Sequence, residues 1–203
     1  CPFISPEIAA RYGLPEKQVN LYEQDLGRTV KKIKEELSKV DFAAAAELIG
    51  AEFSGDRLKF QIMGKNFSVD TDGNIFTDIH VNSWILVSTF KYIVNCKGAP
   101  VEKNWVPYRE LPGGRDGYRL FEQQCEKPLK RLADEHSDLL ADMADIFSGG
   151  QVSDAYQSDI AVVLSPLPMV PILICYWKAE DGMGSSLSLF FDRSADKNIG
   201  LEG

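Results

Sequence analysis

Ile172-Leu173-Ile174-Cys175-Tyr176-Trp177, followed by Glu180-Asp181-Gly182 and then Ser186-Leu187-Ser188-Leu189-Phe190-Phe191, is the stretch that decides the fold class. The first run is continuously apolar and rich in residues that suit a pleated, buried surface. In the last run Leu187, Leu189 and Phe191 alternate with Ser186, Ser188 and Phe190, the two-residue period of a strand. The connection is short and carries a glycine. A parallel pair would need a crossover of about a dozen residues or more, so the two runs form an antiparallel hairpin.

Working outward, 160–164 is a short apolar strand, and the proline-rich 165–171 bends tightly before the hairpin. Further upstream, Leu58, Phe60 and Ile62 alternate with Lys59 and Gln61, and Phe67 and Val69 continue the pattern after Gly64. Asp72-Gly73 is a hairpin-turn signal leading into Ile75-Phe76. The run Asp70-Thr71-Asp72-Gly73 is no calcium loop, because the glycine comes too early and Val81 stands where a bidentate glutamate should close it.

Helical segments surround these strands. Val19, Tyr22, Leu26, Val30, Ile33 and Leu37 form one apolar stripe at helical period, so 16–37 is a helix opened by Pro15. The lysines near its end suit the negative pole of the helix dipole. A second helix is expected at 41–49, with Asp41 as N-cap and Gly50 as the residue that ends it. Residues 81–95 are apolar nearly all round and read as a central helix, with His80 and Asn82 at its start and Gly98 and Pro100 beyond its end. Residues 120–147 read as two helices divided at Pro128. The fold class is therefore α+β, with helices packed on a small, mainly antiparallel sheet in a single compact domain.

Ordinary values of 44% hydrophobic and 26% charged residues over 203 positions leave enough apolar surface for a full core without disulfides or metals. The formal net charge of −8 argues against nucleic-acid binding. No apolar run reaches about 18 residues, so no membrane span is expected, and a cytoplasmic location follows from the lack of a signal-type segment. Cys1, Cys96, Cys125 and Cys175 include no C-x-x-C pair, so the three internal cysteines read as free buried thiols.

Between the halves lies 105–114, Trp-Val-Pro-Tyr-Arg-Glu-Leu-Pro-Gly-Gly. Its prolines forbid an interior helix and its glycines permit a tight turn. The nucleophile elbow, the H-E-x-x-H zinc motif and the Walker loop are all missing from the sequence. Polar residues in apolar surroundings are His80, Arg109, Glu110, Glu180, Asp181 and Asp192. From these, His80, Trp105, Arg109, Glu110 and Asp181 are expected to line one pocket or seam. Arg109 would offer a planar fork to a carboxylate or phosphate, the alternative being an internal Arg–Glu or Arg–Asp staple. Three function classes stay open: a cofactor- or partner-binding module, a small-molecule enzyme using His80 and carboxylates, and a structural docking domain.

Residues from about 50 onward resemble the domain of unknown function 3786 family. The likeness is carried by His80-Val81-Asn82-Ser83-Trp84, by 105–114, by Pro168-Met169-Val170-Pro171-Ile172, by Tyr176-Trp177 through Glu180-Asp181, and by 189–195. Gly182-Met183-Gly184 departs from the acidic cluster usual in that family after the tryptophan. Family members often carry an N-terminal four-cysteine iron–sulfur domain similar to that of corrinoid iron–sulfur proteins. Cys1-Pro2 looks like the last cysteine of that motif, which gives 1–14 as its exit and 15–203 as the α+β domain. A processed lipoprotein would also begin with cysteine, but Pro2-Phe3 leads at once toward a folded segment, so Cys1 is expected to be a cluster ligand that needs further cysteines upstream. The resemblance implies an accessory domain beside an iron–sulfur module in an anaerobe, with an iron–sulfur or corrinoid protein as partner. It implies no cofactor held by this chain alone.

Overall fold

The computed structural model describes residues 21–136, 138–180 and 182–200. In chain order, α1 (Leu21–Leu37) and α2 (Phe42–Ile49) precede β1 (Glu52–Ser54), β2 (Arg57–Ile62), β3 (Lys65–Asp70) and β4 (Ile75–Thr77). Then come α3 (Ser83–Asn95), β5 (Trp105–Pro107), α4 (Gly114–Phe121), α5 (Lys127–Glu135) and α6 (Leu139–Ile146). The chain ends in β6 (Gly150–Gln151), β7 (Ile160–Leu167), β8 (Val170–Trp177), β9 (Ser186–Asp192) and α7 (Ala195–Ile199). The α+β class stands. The strands divide between two antiparallel sheets, ordered β1-β2-β3-β4 and β5-β9-β8-β7-β6. The expected antiparallel hairpin is formed by β8 and β9, paired from Ile172 opposite Phe191 to Trp177 opposite Ser186.

Local chemistry explains the elements that the sequence announced. Asp41 caps α2 by accepting hydrogen bonds from the amides of Ala43 and Ala44, and Gly50 ends it in the left-handed conformation at φ 65°. Asn82, not His80, caps α3 by accepting from the Ile85 amide. Asp70 accepts from the amides of Asp72 and Asn74 and from the Asn74 side chain, which folds the Asp72-Gly73 turn around its carboxylate. Burial alone would raise that carboxyl's pKa; the donors outweigh it and lower it.

The long helical stretch divides elsewhere than at Pro128. Helix runs from Gly114 through a wide π turn at Glu122–Glu126 into α5, where Pro128 sits in the first turn. A proline lacks the amide for the ladder and its ring crowds the carbonyl four residues back. The wider turn just before it removes that conflict without ending the helix. The break comes at His136, which is extended. The cysteine expectation also needs correcting: Cys96 and Cys175 are buried, but Cys125 on the π turn is exposed, between the polar neighbours Gln124 and Glu126.

Two cores result. The larger joins Ile33 and Leu37 of α1, Ile49 of α2, Leu58, Phe67 and Val69 of the four-stranded sheet, and Phe90 and Ile93 of α3 with Leu167 and Val170 of the other sheet. Phe90 and Tyr92 are fully buried, and each such side chain contributes roughly 1.5–3 kcal/mol. The second core packs Ala133, Leu140 and Ala144 of α5 and α6 on Val162, Leu164, Ile174 and Leu189. The five-stranded sheet's opposite face carries Ala161, Leu173 and Cys175, with Trp105, Trp177 and Phe190 only partly covered. Among the described residues, no helix is long and apolar enough to cross a membrane.

Candidate functional site

The 105–114 segment is a strand, a turn and a helix start, each fixed by contacts. β5 lies on the edge of its sheet, with Trp105 opposite Asp192 and Pro107 opposite Phe190. An edge position tolerates Pro107, which has no amide to donate. One 3₁₀ turn, Tyr108–Glu110, follows, and Gly113 at φ 76° turns the chain into α4. Gly114 lies so close to the turn that a Cβ there would sit 1.9 Å from the Tyr108 carbonyl oxygen. Tyr108 stacks on Phe121 at 4.5 Å between centroids, and both rings meet Phe191 of β9, at 6.0 and 5.6 Å.

On this base Arg109 lies with its guanidinium carbon 5.6 Å from the centre of the Tyr118 ring. No carboxylate pairs with it among the described residues, so the staple with Glu110 is not formed. The Tyr118 hydroxyl donates to Glu126 Oε2 at 3.4 Å, and Glu126 Oε1 accepts from the Leu189 amide at 2.9 Å. Glu126, buried on the π turn, thus satisfies a β9 amide beyond the reach of the short β5. Burial raises the Tyr118 pKa, and Glu126 and Glu122 push it further in the same direction.

Asp192 anchors the entry to the loop. It is fully buried, and its Oδ1 accepts from the Glu102 amide (3.1 Å), the Ser194 amide (3.0 Å) and the Ser194 hydroxyl (2.6 Å). Its Oδ2 has no donor in hydrogen-bonding geometry. Burial alone would raise its pKa, but the Ser194 hydroxyl and the surrounding amides outweigh that and hold it below the usual carboxylate range. The Arg193 amide donates to Asn104 O, so both sides of the junction are tied.

A cleft of about 390 Å³ opens at the other end of β9, lined by Asp159, Trp177, Lys178, Glu180, Met183, Gly184 and Ser186. Trp177 Nε1 donates to Gln157 O, and Asp159 Oδ2 accepts from the Lys178 amide at 2.7 Å. The hairpin tip closes through paired backbone hydrogen bonds between Glu180 and Met183. Its stem is tied to α5 by Ser185 Oγ donating to Asp134 Oδ1 at 2.6 Å, where Tyr176 also donates at 2.8 Å. Lys130 holds the other oxygen at 2.7 Å; it, Ser185 and Tyr176 lower the Asp134 pKa to about 2.

The sequence-derived residues fall as follows. Trp105 is half-buried in β5, with Arg109 and Glu110 both exposed on the turn after it, at the edge of the five-stranded sheet. His80 is exposed in the segment joining β4 of the four-stranded sheet to α3. Asp181 and Cys1 lie outside the described residues. Trp105 and Ser186 mark opposite ends of β9, six strand residues apart, or about 20 Å at 3.3 Å per residue. Tyr118, Glu126, Asp134 and Asp159 were not singled out by sequence as site residues, and Trp177 was read only as a strand residue and as part of the family likeness. Tyr118 and Glu126 meet across a π turn that no helical period reveals, and Asp159 meets the Lys178 amide only through strand pairing.

Among the described residues no three His, Cys, Asp or Glu side chains group as a metal ion would require. The three described cysteines are likewise no cluster-binding set. No curated protein and no solved structure matches the chain. The family model described as Domain of unknown function (DUF3786) matches residues 41–203, which include both sheets, the 105–114 loop and the hairpin cleft, and the chain belongs to that family.

Proposed function

We propose that this chain is a binding domain that works beside an iron–sulfur module, and that Arg109 is its principal contact with an anionic group of its ligand or partner. One observation carries the reading: Arg109 lies on Tyr118, on a loop fixed by Gly114, the Tyr108–Phe121–Phe191 stack and Asp192, yet no carboxylate pairs with it among the described residues. Such a guanidinium keeps its fork of donors for a carboxylate or phosphate. Trp105 and Glu110 flank it in this reading, and a corrinoid or an iron–sulfur protein supplies the anionic group.

The test is a pair of measurements on wild type and Arg109→Ala. Amide NMR shifts are followed during titration with inorganic phosphate and with acetate, and the visible spectrum of the anaerobic full-length protein is followed on adding a corrinoid. The expected result is loss of the response in the variant with stability within about 0.5 kcal/mol of wild type, as for a surface substitution. A loss of about 3 kcal/mol, the cost of breaking a buried pair, would identify Arg109 as a staple and end the proposal. So would identical titrations of the two proteins.

A further inference from the structure

The cleft at the hairpin tip is a different locus from the Arg109 loop, and its chemistry is of opposite sign. Its walls combine one aromatic ring (Trp177), an exposed thioether (Met183, 72% accessible) and two exposed carboxylates, Asp159 and Glu180. Two of these groups are fixed in place: the Trp177 indole by its hydrogen bond to Gln157 O, and Asp159 by the Lys178 amide. The tip is braced from behind by Ser185 on Asp134. The cleft is therefore set before anything binds, which lowers the ordering cost of binding.

Among the described residues no cation pairs with these groups. Lys178 lines the cleft, but its ammonium forms no ion pair within 4.0 Å of Asp159 or Glu180, and no described Lys or Arg stands over the Trp177 ring. An indole beside unpaired carboxylates attracts an alkylammonium or guanidinium, through the ring's quadrupole and through Coulomb attraction. Met183, protruding at the rim, adds an adaptable apolar contact of the kind that covers the methylene stem of a lysine or arginine. The cleft is open to solvent and holds about 390 Å³, which admits a long side chain presented from a partner's surface. The net charge of −8 favours a basic partner over an acidic one.

We infer that this cleft receives a lysine or arginine side chain of a basic partner polypeptide, with Trp177 and Met183 against its stem and Asp159 and Glu180 at its charged head. The probe is a short lysine- and arginine-containing peptide, titrated into the ¹⁵N-labelled chain. Expected are saturable shifts of the Trp177 indole N–H and of the Glu180 and Met183 amides, weakened at least threefold on raising salt from 50 to 300 mM. The double variant Glu180→Gln, Met183→Ala changes only exposed side chains, so it should keep the wild-type Tm while weakening the peptide at least fivefold. Arg109→Ala should leave this titration unchanged, which separates its outcome from that of the Arg109 proposal. Three results would overturn the inference: an acidic peptide of equal length giving the same shifts, absence of shifts at millimolar peptide, or free tetramethylammonium binding as tightly as the peptide. The last would assign the cleft to a small ammonium ion instead of a polypeptide.

Discussion

Replacing Gly114 by alanine sets two effects against each other, and the structure decides the sign. Alanine is favoured over glycine within a helix by about 1 kcal/mol. At Gly114, however, the added Cβ would lie 1.9 Å from the Tyr108 carbonyl oxygen and 2.9 Å from its carbon. An ordinary carbon–oxygen contact is about 3.3 Å, so the turn at Tyr108–Glu110 must retreat by more than an ångström. Both sides of the contact begin as backbone, so no flexible side chain can swing away. Retreat strains the Gly114 amide to Leu111 O hydrogen bond, 2.9 Å long, and the Tyr108–Phe121 stack. Overpacking costs roughly 1–3 kcal/mol, and a disturbed aromatic pair about 0.5–1.5 kcal/mol more. After subtracting the helix preference, the net loss is about 2 kcal/mol, or a fall in Tm of roughly 4–8 °C at this chain length. The assay is urea unfolding followed by tryptophan fluorescence, with Gly27→Ala as control. Gly27 is in α1 with nothing within 4 Å of a Cβ, so the same substitution there should stabilise by up to about 1 kcal/mol. A Gly114→Ala protein as stable as wild type would refute the close approach and, with it, the rigidity assigned to the Arg109 loop.

Three further outcomes follow from the buried polar groups. Asp192→Ala leaves the Glu102 amide and the Ser194 amide and hydroxyl without their acceptor, and should cost about 3 kcal/mol or more in chemical denaturation. Because the Asp192 pKa is lowered on folding, its contribution is complete above the unfolded value of about 3.9 and is lost as pH falls through the lower folded value. Wild-type stability should therefore fall more steeply below pH 4 than that of Asp192→Asn, and parallel slopes would contradict the pKa reading. Tyr92→Phe removes a hydroxyl that donates to Ile49 O (2.6 Å) and accepts from the Met169 amide (3.0 Å); a loss of roughly 2 kcal/mol is expected in the same assay, and a neutral effect would place water at those groups.

What could be read from sequence was what short-range chemistry determines. Asp41 and Gly50 mark α2 because a cap and a left-handed residue act within one turn. Ile172–Trp177 and Ser186–Phe191 pair as a hairpin because a short connection leaves neighbouring runs no other partner so close at hand. What stayed hidden depends on partners far along the chain. Three residues at Trp105–Pro107 carry no periodicity, and they become a strand only because β9, some 85 residues later, offers an edge. The division into two sheets has the same origin, since no pattern within 57–76 states that those strands decline to pair with β7. Arg109 was placed on the right loop, but its neighbour is the Tyr118 ring and not Glu110, a choice made by how α4 folds back over the turn. Pro128 was a true signal misread: it marks a change of helical register, and the break lies eight residues on.

The two sheets nevertheless form one body, and the reason bears on where binding can occur. Tyr92 of α3 links Ile49 O at the end of α2 to the Met169 amide in the β7–β8 turn. Asn198 of α7, fully buried, accepts from the Ala99 amide and donates to Ala99 O and Met169 O, so the end of the chain closes the same joint. A second joint sets the β2–β3 turn at Gly64 against Phe147 O and Ser148, beyond the end of α6, while the Met63 amide reaches Pro166 O. With these ties the four-stranded sheet and its helices hold one end of the five-stranded sheet rigidly, α5 and α6 cover one of its faces, and β5 closes one edge. The features that remain accessible on that sheet, the Arg109 turn and the Trp177–Met183 cleft, lie toward opposite ends of β9. One has an unpaired guanidinium and the other unpaired carboxylates, so a single small anion or cation would satisfy only one of them. An extended polypeptide carrying an acidic group and a basic side chain about 20 Å apart would satisfy both at once.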